Sequence, residues 1–436
     1  MSVRSGRTVR DLRRENRSAV LQRLYFDGPL SRLALGPVTS LSSGSVSNVV
    51  ADLLAEGLVE EAGSVDSAGG RPRTLLRVRQ DSAYMIGVDI GETRVRIELF
   101  DVALTELARA DRPLAANGPR REDRYDVGVV LGHVRDGIEE VVQEAGIDAE
   151  QLLGVGVGVP GIVARTPQDG AVVHGQTISW DAVPLERLLR ESVSLPDSVS
   201  YFIENGAKTL GQAEMWFGGG RGAGSAVVVL FGSGVGASVF GEELRPGRAV
   251  EWGHLKVRVR GRRCRCGAQG CLEAYAGAEA LLERWREAGG KPPSDAGEEA
   301  ALTALLAAAY PAGPEEEADT VALAVLEETA EYLGAGFADL INLLQPERIL
   351  VGGWAGLQLG TRFLDRVRSY ATSSALSYPA SHVEIRLGTL GPDAVTVGAA
   401  ILPLADFFAH GGRRAPVEAE EPAPAWQTTL RQRAAH

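Results

Sequence analysis

All three cysteines of this 436-residue chain fall within Cys264-Arg265-Cys266-Gly267-Ala268-Gln269-Gly270-Cys271, and His254 stands ten residues before the first of them. Thiolates and imidazole in a set of four are the ligands tetrahedral zinc takes, and a Cys3His set leaves no position for water, so the expected metal is structural. Gly267 and Gly270 let the chain wrap tightly enough for the third sulfur to return. The alternative is a reduced, metal-free cluster of small buried cysteines. Three cysteines this close together exclude a disulfide framework. Zinc held by His254, Cys264, Cys266 and Cys271 would brace the imidazole and present the flanking Glu251 and Glu273, two carboxylates able to accept hydrogen bonds from ligand hydroxyls. Taken singly, each glutamate is an ordinary surface charge.

A chain of this length is too long for one compact core. Its charge is also unevenly placed. Residues 1–80 hold 12 Arg and no Lys against 8 Asp plus Glu, a net of +4, whereas the whole chain sums to −12, so the remaining residues carry −16. A small basic head precedes a large acidic body. No apolar run suits a signal peptide, and nowhere do about 18 uncharged apolar residues follow one another, so no membrane association and a cytoplasmic location are expected.

In the head, helical spacing runs from Thr8 to Phe26 and stops at Asp27-Gly28-Pro29. A short segment, Ser31–Leu35, should fray at Gly36-Pro37. Ser42 then caps a third helix, Ser43–Glu56, with Val46, Val49, Val50, Leu53 and Leu54 on one face. Leu58–Glu61 and Thr74–Val78 read as strands flanking a loop, Ala62–Arg73. Three helices and a two-stranded wing make a winged helix-turn-helix. An ordinary small helical domain is the alternative, and the third helix carries no Lys or Arg. Its small polar residues Ser43, Ser45, Ser47 and Asn48 nonetheless suit entry to a major groove. The arginines of the first helix, with Arg71 and Arg73 on the wing, would neutralise phosphates of double-stranded DNA.

After Gln80 the texture changes to short β-rich runs closed by glycines: Tyr84–Ile90, Arg94–Phe100, Leu104–Ala110, Leu153–Val159, Val199–Ile203, Ser225–Phe231, Ile349–Val351 and Val383–Leu387. Helical stretches at Leu185–Glu191, Ala278–Glu287, Val321–Leu344 and Ala394–Ala409 separate them, which makes the body α/β. Asp89-Ile-Gly-Glu-Thr93 and Phe231-Gly-Ser-Gly-Val-Gly236 are turns whose backbone amides suit phosphate oxygens, and Val351-Gly-Gly353 ends a strand where a base could approach. Any one of them is equally a tight β-turn. From Gly411 the chain has little to bury and reads as a disordered tail.

With these residues in view the sequence resembles the ROK family of repressors and sugar kinases over roughly residues 8–409. The zinc segment carries the likeness as Glu251, Gly253, His254, Cys264, Cys266, Gly267, Gly270, Cys271 and Glu273. Gly158-Val-Pro-Gly161 matches a second signature, and Gly70-Arg71-Pro72 before Leu75-Leu76 is similar to the wing of the regulator branch. The resemblance implies a two-lobed actin-like, hexokinase-like sugar kinase fold behind the winged helix. The small lobe would span 81–204 with helix 394–409 returning to it, the large lobe 205–393, and the tail 410–436. It also implies a sugar or sugar phosphate in the interlobe cleft, with Asn205, Glu251, His254 and Glu273 as the binding residues, and a homodimer or tetramer.

Two departures bear on activity. Gly206 stands where kinases of the family carry the aspartate that accepts the proton of the attacking sugar hydroxyl, and glycine cannot act as a base. Glu92 stands where glycine is usual in the first phosphate turn, so charge repulsion is expected to disfavour ATP. The expected protein is a sugar-responsive transcriptional regulator, a repressor, and not an enzyme. An ATP-dependent sugar kinase with a fused DNA-binding head is the alternative, and a regulator that answers to a protein partner instead of a sugar is a third reading.

Overall fold

The computed structural model describes residues 8–67, 70–114, 125–241, 247–293, 297–311, 313 and 317–414. By compactness the chain separates into two units: the chain up to Arg79 together with the chain from Ala405 onward, and Gln80–Leu404.

In the first unit, α1 (Val9–Asp27) starts at a reciprocal cap in which the Thr8 hydroxyl accepts from the Asp11 amide and the Asp11 carboxylate accepts from that of Thr8. Then follow β1 (Leu30–Ser31), α2 (Arg32–Thr39), α3 (Ser43–Ala55), β2 (Val59–Ser67) and β3 (Gly70–Val78), with sheet order β1-β3-β2. Val20, Leu21, Leu24, Leu35, Val46, Val50, Leu53 and Leu76 are buried together in these elements.

Contrary to expectation, α2 runs through Gly36-Pro37. Proline removes the bond its own amide would make to the carbonyl of Leu33, an exposed residue, while Leu35 beside it is fully buried and anchors the helix. The final turn closes through the Ser40 amide on the Gly36 carbonyl, with Ser40 left-handed, and the Thr39 hydroxyl adds a bond to the Leu35 carbonyl at 2.6 Å. The wing also differs from expectation: most of Ala62–Arg73 is paired strand, not loop. Register shifts between Glu61 and Ser64 and between Val65 and Ser67 break the alternation that would have revealed it.

The second unit contains two sheets of one topology. The first comprises β4 (Tyr84–Ile90), β5 (Arg94–Asp101), β6 (Glu106–Pro113), β7 (Leu152–Val159) and β11 (Ser200–Asn205). Between β7 and β11 the chain makes a separate three-stranded sheet of β8 (Ile162–Thr166), β9 (Gly170–Gly175) and β10 (Trp180–Val183). The second large sheet comprises β12 (Ala226–Phe231), β13 (Val235–Phe240), β14 (Arg248–Val250), β15 (Arg348–Gly352) and β16 (Glu384–Leu387). Their orders are β6-β5-β4-β7-β11 and β14-β13-β12-β15-β16. In each sheet the first three strands are antiparallel and the last two add in parallel.

Helices α4 (Val127–Ala145) and α5 (Leu185–Ser192) belong to the first sheet's lobe; α6 (Gly206–Phe217) opens the second. After it come α7 (Glu273–Ala276), α8 (Ala278–Glu287), α9 (Glu298–Ala309), α10 (Thr320–Leu344), α11 (Trp354–Ser374) and α12 (Ser377–Ala380). Ile86, Val88, Ile97, Leu99, Val155 and Val157 form the core of the first lobe, and Val227, Val229, Phe231, Leu333, Phe337 and Ile349 that of the second.

The last helix among the described residues, α13 (Ala394–Ala409), lies so close over β4 and β7 that side chains are excluded beneath it. A Cβ on Gly87 would stand 2.1 Å from the Thr396 carbonyl oxygen, and one on Gly156 would stand 1.8 Å from that of Ala399. Its last turn, from Ala405, groups with the winged-helix unit and not with the small lobe. Residues 410–414, expected to open the tail, instead pack on α1, because Arg17, 2% exposed, donates from Nε to the Gly411 carbonyl at 2.7 Å. Arg413 adds an ion pair to Glu56 at 3.1 Å. The tail expected beyond 414 lies outside the described residues. Among the described residues no helix is long and apolar enough to cross a membrane.

Candidate functional site

Because the two sheets share a topology, the turn after the first strand of each reaches the same cleft. Gly91-Glu92-Thr93 joins β4 to β5, Gly232-Ser233-Gly234 joins β12 to β13, and both line a cavity of about 700 Å³. Asp89 closes β4 at this cavity, and burial pushes its carboxyl up to about 7 against the opposing pull of Arg96 and Arg94.

Asn205, Glu251, His254 and Glu273 all line this cavity. Asn205 ends β11 and caps α6: its Oδ1 accepts from the Ala207 amide at 2.8 Å, and its Nδ2 donates to the Gly161 carbonyl at 2.8 Å. One lone pair and one N–H are left over for a ligand. Glu251 is partly exposed and precedes the short turn Trp252–His254, with its carboxylate 3.8 Å from His254 Nε2. Glu273 is buried at the start of α7 and accepts from the Val235 amide at 3.2 Å. Gly206 also lines the cavity, and its φ is not positive. A Cβ there would meet only Leu230 Cδ2 at 3.6 Å and the Val159 carbonyl oxygen at 3.9 Å, so neither backbone nor space demands glycine.

The expected charge repulsion at Glu92 does not hold as stated. The Arg265 guanidinium, reaching over from the cysteine loop, forms an ion pair with the Glu92 carboxylate and offsets its charge. Several cavity residues were not anticipated. His174, Gln176 and Thr177 come from the end of β9 and the turn after it, Arg94 and Arg96 from β5, and Trp354 from the start of α11. Only the closely spaced Gly170 and Gly175, framing a short valine run, hinted at the hairpin that carries His174.

The four expected metal donors converge. Their ligand atoms lie within 4.8 Å of one another, with Cys266 Sγ 3.8 Å from Cys271 Sγ and Cys264 Sγ 3.8 Å from His254 Nδ1. The edge of a tetrahedron with metal–sulfur bonds of about 2.3 Å is about 3.8 Å, so the donor spacing fits a four-coordinate metal. Lys256 Nζ, 2.9 Å from Cys271 Sγ, sets a cation beside the thiol. The cluster could hold a metal ion.

On the winged helix, Ser43, Ser47 and Asn48 are exposed along one face of α3. Ser45 faces elsewhere: its hydroxyl pairs with that of the capping Ser42 at 2.9 Å, and its amide donates to the same oxygen. Arg73 is exposed on β3, whereas the Arg71 side chain lies outside what the structure describes. The arginines of α1 are less available for phosphate than their number suggested. Arg13 pairs with Asp52, Arg14 with Asp11, Arg23 with Asp27, and Arg17 is buried against Glu56.

Residues 85–405 match the ROK family. The chain belongs to the ROK family. It is 27% identical to the xylose repressor of Caldicellulosiruptor bescii over 407 residues, which cover 91% of this chain and 97% of the repressor. A solved ROK family transcriptional regulator, described as a homologue of the E. coli Mlc protein, superposes with a TM-score of 0.70 at 21% identity and covers 92% of this chain and 98% of its own; that likeness concerns the fold. The ROK family glucokinase of Streptomyces griseus, solved with glucose and AMPPNP, has a TM-score of 0.59 at 26% identity and covers 73% of this chain and 99% of its own. The ROK match begins just after the winged helix ends.

Proposed function

We propose that the protein is a cytoplasmic transcriptional repressor of the ROK family that binds a DNA operator through its winged helix and answers to a sugar or sugar phosphate in the interlobe cleft. The observation that carries this reading is the joining, in one chain, of a winged helix exposing Ser43, Ser47 and Asn48 to a ROK body with a cleft of about 700 Å³. The full-length likeness to a protein named as a xylose repressor supports it. Asn48 and its serine neighbours would meet base edges, and Arg71 and Arg73 the phosphates or the minor groove. The Ser45 hydroxyl is engaged by that of the capping Ser42, so Ser45 would support the start of α3 more than contact DNA.

In the cleft, Asn205, Glu251, His254 and Glu273 are the proposed sugar-binding set, since together they offer amide and carboxylate groups to hydroxyls. Zinc is the metal we assign to His254, Cys264, Cys266 and Cys271, on the softness of three thiolates with one imidazole. When bound, it would act structurally, fixing the loop that carries Glu251 and Glu273 on either side of it. A homodimer or tetramer would supply two heads for two half-sites, and ligand-driven lobe movement would alter their spacing.

Phosphoryl transfer is not part of this reading, because residue 206 offers no base. Removing a general base lowers rate by about 10²- to 10⁴-fold. Retardation of the gene's own upstream DNA by the full chain, abolished when residues 1–80 are removed, tests the repressor reading. The second reading, a sugar kinase with a fused head, is favoured by the paired glycine turns and Asp89 at the cleft. A coupled assay with ATP and D-glucose or D-xylose separates the two, since turnover of about 1–100 per second belongs to a working kinase.

A further inference from the structure

Arg265 sits between two of the proposed metal-ligand cysteines, and its guanidinium reaches a set of carboxylates drawn from both lobes, sharing Glu273 Oε1 with Cys264 Sγ, which lies 3.7 Å from that oxygen. Nη1 pairs with Glu92 of the small lobe's glycine turn and lies 3.3 Å from Glu279 Oε2 on α8; Nε and Nη2 lie 3.3 Å and 3.2 Å from Glu273 Oε1 on α7. The guanidinium also packs on the second glycine turn. A Cβ on Gly234 would stand 2.4 Å from Arg265 Nη2 and 2.2 Å from Glu273 Oε2. One side chain therefore touches the first glycine turn, the second glycine turn and the proposed sugar-binding carboxylate.

Burial separates this contact from the ordinary surface pairs. The side chains of Glu92, Arg265 and Glu273 are 14%, 16% and 8% exposed. A second interlobe pair at the same cleft, Arg94 with Glu299, is 34% and 41% exposed, where solvent screening leaves little energy. The partly buried cluster is the one able to hold the lobes in a set relation. Glu273 has both oxygens engaged, one by the Val235 amide and one by Arg265, so a hydroxyl donated to it changes the group that Arg265 holds.

Resting on the sugar reading above, we propose that Arg265 is a positioning residue that orients Glu273 for sugar and ties it to Glu92, so that occupancy of the sugar site is passed to the small lobe through this one guanidinium. Glu92 is then the receiving end of the tie. It is not a sugar contact, and neutralising it should separate binding from response.

The test compares the full wild-type chain with Glu92→Gln and Arg265→Gln. Glu92 lies far along the chain from the cysteine loop, which keeps the first variant informative if the second disturbs that loop. In ligand-free protein, hydrogen exchange at the amides of residues 91–95 and 232–236 should rise about tenfold in E92Q, as expected when a charge-assisted tie is lost. With D-xylose and D-glucose as probes, calorimetric affinity for whichever binds should stay within about threefold in E92Q and fall at least about tenfold in R265Q. The sugar-induced change in operator affinity, commonly about 5- to 150-fold for coupled sites, should shrink below about twofold in E92Q. Unchanged exchange at both turns, or a full operator response in E92Q, overturns the proposal. If neither sugar binds wild type, the choice of probes or the sugar reading fails, and the exchange comparison still decides whether the tie exists.

Discussion

Replacing Arg17 by methionine isolates what a buried arginine does inside the winged-helix unit. Methionine keeps most of the aliphatic stem packed and removes every polar contact. Two losses follow. The Gly411 carbonyl loses its 2.7 Å donor in a buried setting, which costs about 1–3 kcal/mol. The pair to Glu56, at 3.0 Å and 2.5 Å, also goes, but Glu56 is 36% exposed and keeps Arg413 at 3.1 Å, so that part is worth only about 1 kcal/mol after screening. Together the variant should lose about 2–4 kcal/mol, a drop of roughly 10 °C or more in the melting of a unit this small. Glu56→Gln, which leaves the carbonyl contact intact, should cost less than about 1 kcal/mol. Differential scanning calorimetry of the full chain, with limited proteolysis to assign the transition, measures both. An R17M chain melting within about 2 °C of wild type would show that the Arg17 contacts to Gly411 and Glu56 do not hold this unit together. An E56Q variant less stable than R17M would show that the surface pair and not the buried carbonyl dominates.

Elemental analysis after metal-replete expression should find one zinc per chain. Less than about half an equivalent, with all three thiols titratable in the native protein, removes the zinc assignment. Glu98 is fully buried beside Thr396 and Arg109, and burial pushes its carboxyl up to about 7 from 4.5. The folded chain therefore holds this proton where the unfolded chain has released it, and stability is lost as pH rises through about 7. Relative to Glu98→Gln, wild type should lose up to about 3 kcal/mol between pH 5 and pH 8, and a flat difference would show that Arg109 and Arg96 keep Glu98 ionised throughout. In DNA binding, Asn48→Ala should relax sequence preference by about 1–3 kcal/mol, whereas Arg73→Ala should weaken all sequences alike and lower the salt slope by about one; the reverse pattern would exchange their roles.

The cleft was legible in the sequence wherever a residue type answers to chemistry directly. Clustered cysteines, His254 with flanking glutamates, and glycine turns at strand ends could be placed without coordinates, and the structure brings them to one cleft. Arg265 was not legible, because a residue between two cysteines says nothing about which way its side chain points. Its pairing with Glu92 depends on two segments 173 positions apart meeting across the cleft. The full length of the wing strands is not legible because two register shifts break their alternation, and that of α2 is not because Gly36-Pro37 is a local stop signal that the buried Leu35 and the Thr39 hydroxyl on its carbonyl override. The role of residues 405–414 was hidden for a different reason: short, glycine-rich and polar, they resemble a tail until Arg17 supplies a donor for the Gly411 carbonyl.

The most direct measurement is retardation of the gene's own upstream DNA by the full-length protein at a fixed salt concentration, with and without saturating D-xylose or D-glucose and with no nucleotide present. A sugar-responsive repressor should bind this DNA specifically in the range of about 10⁻⁸–10⁻¹¹ M, with a change of at least about fivefold with one of the sugars. Binding no tighter than to unrelated DNA, together with sugar phosphorylation at about 1–100 per second once ATP is added, would contradict a repressor role.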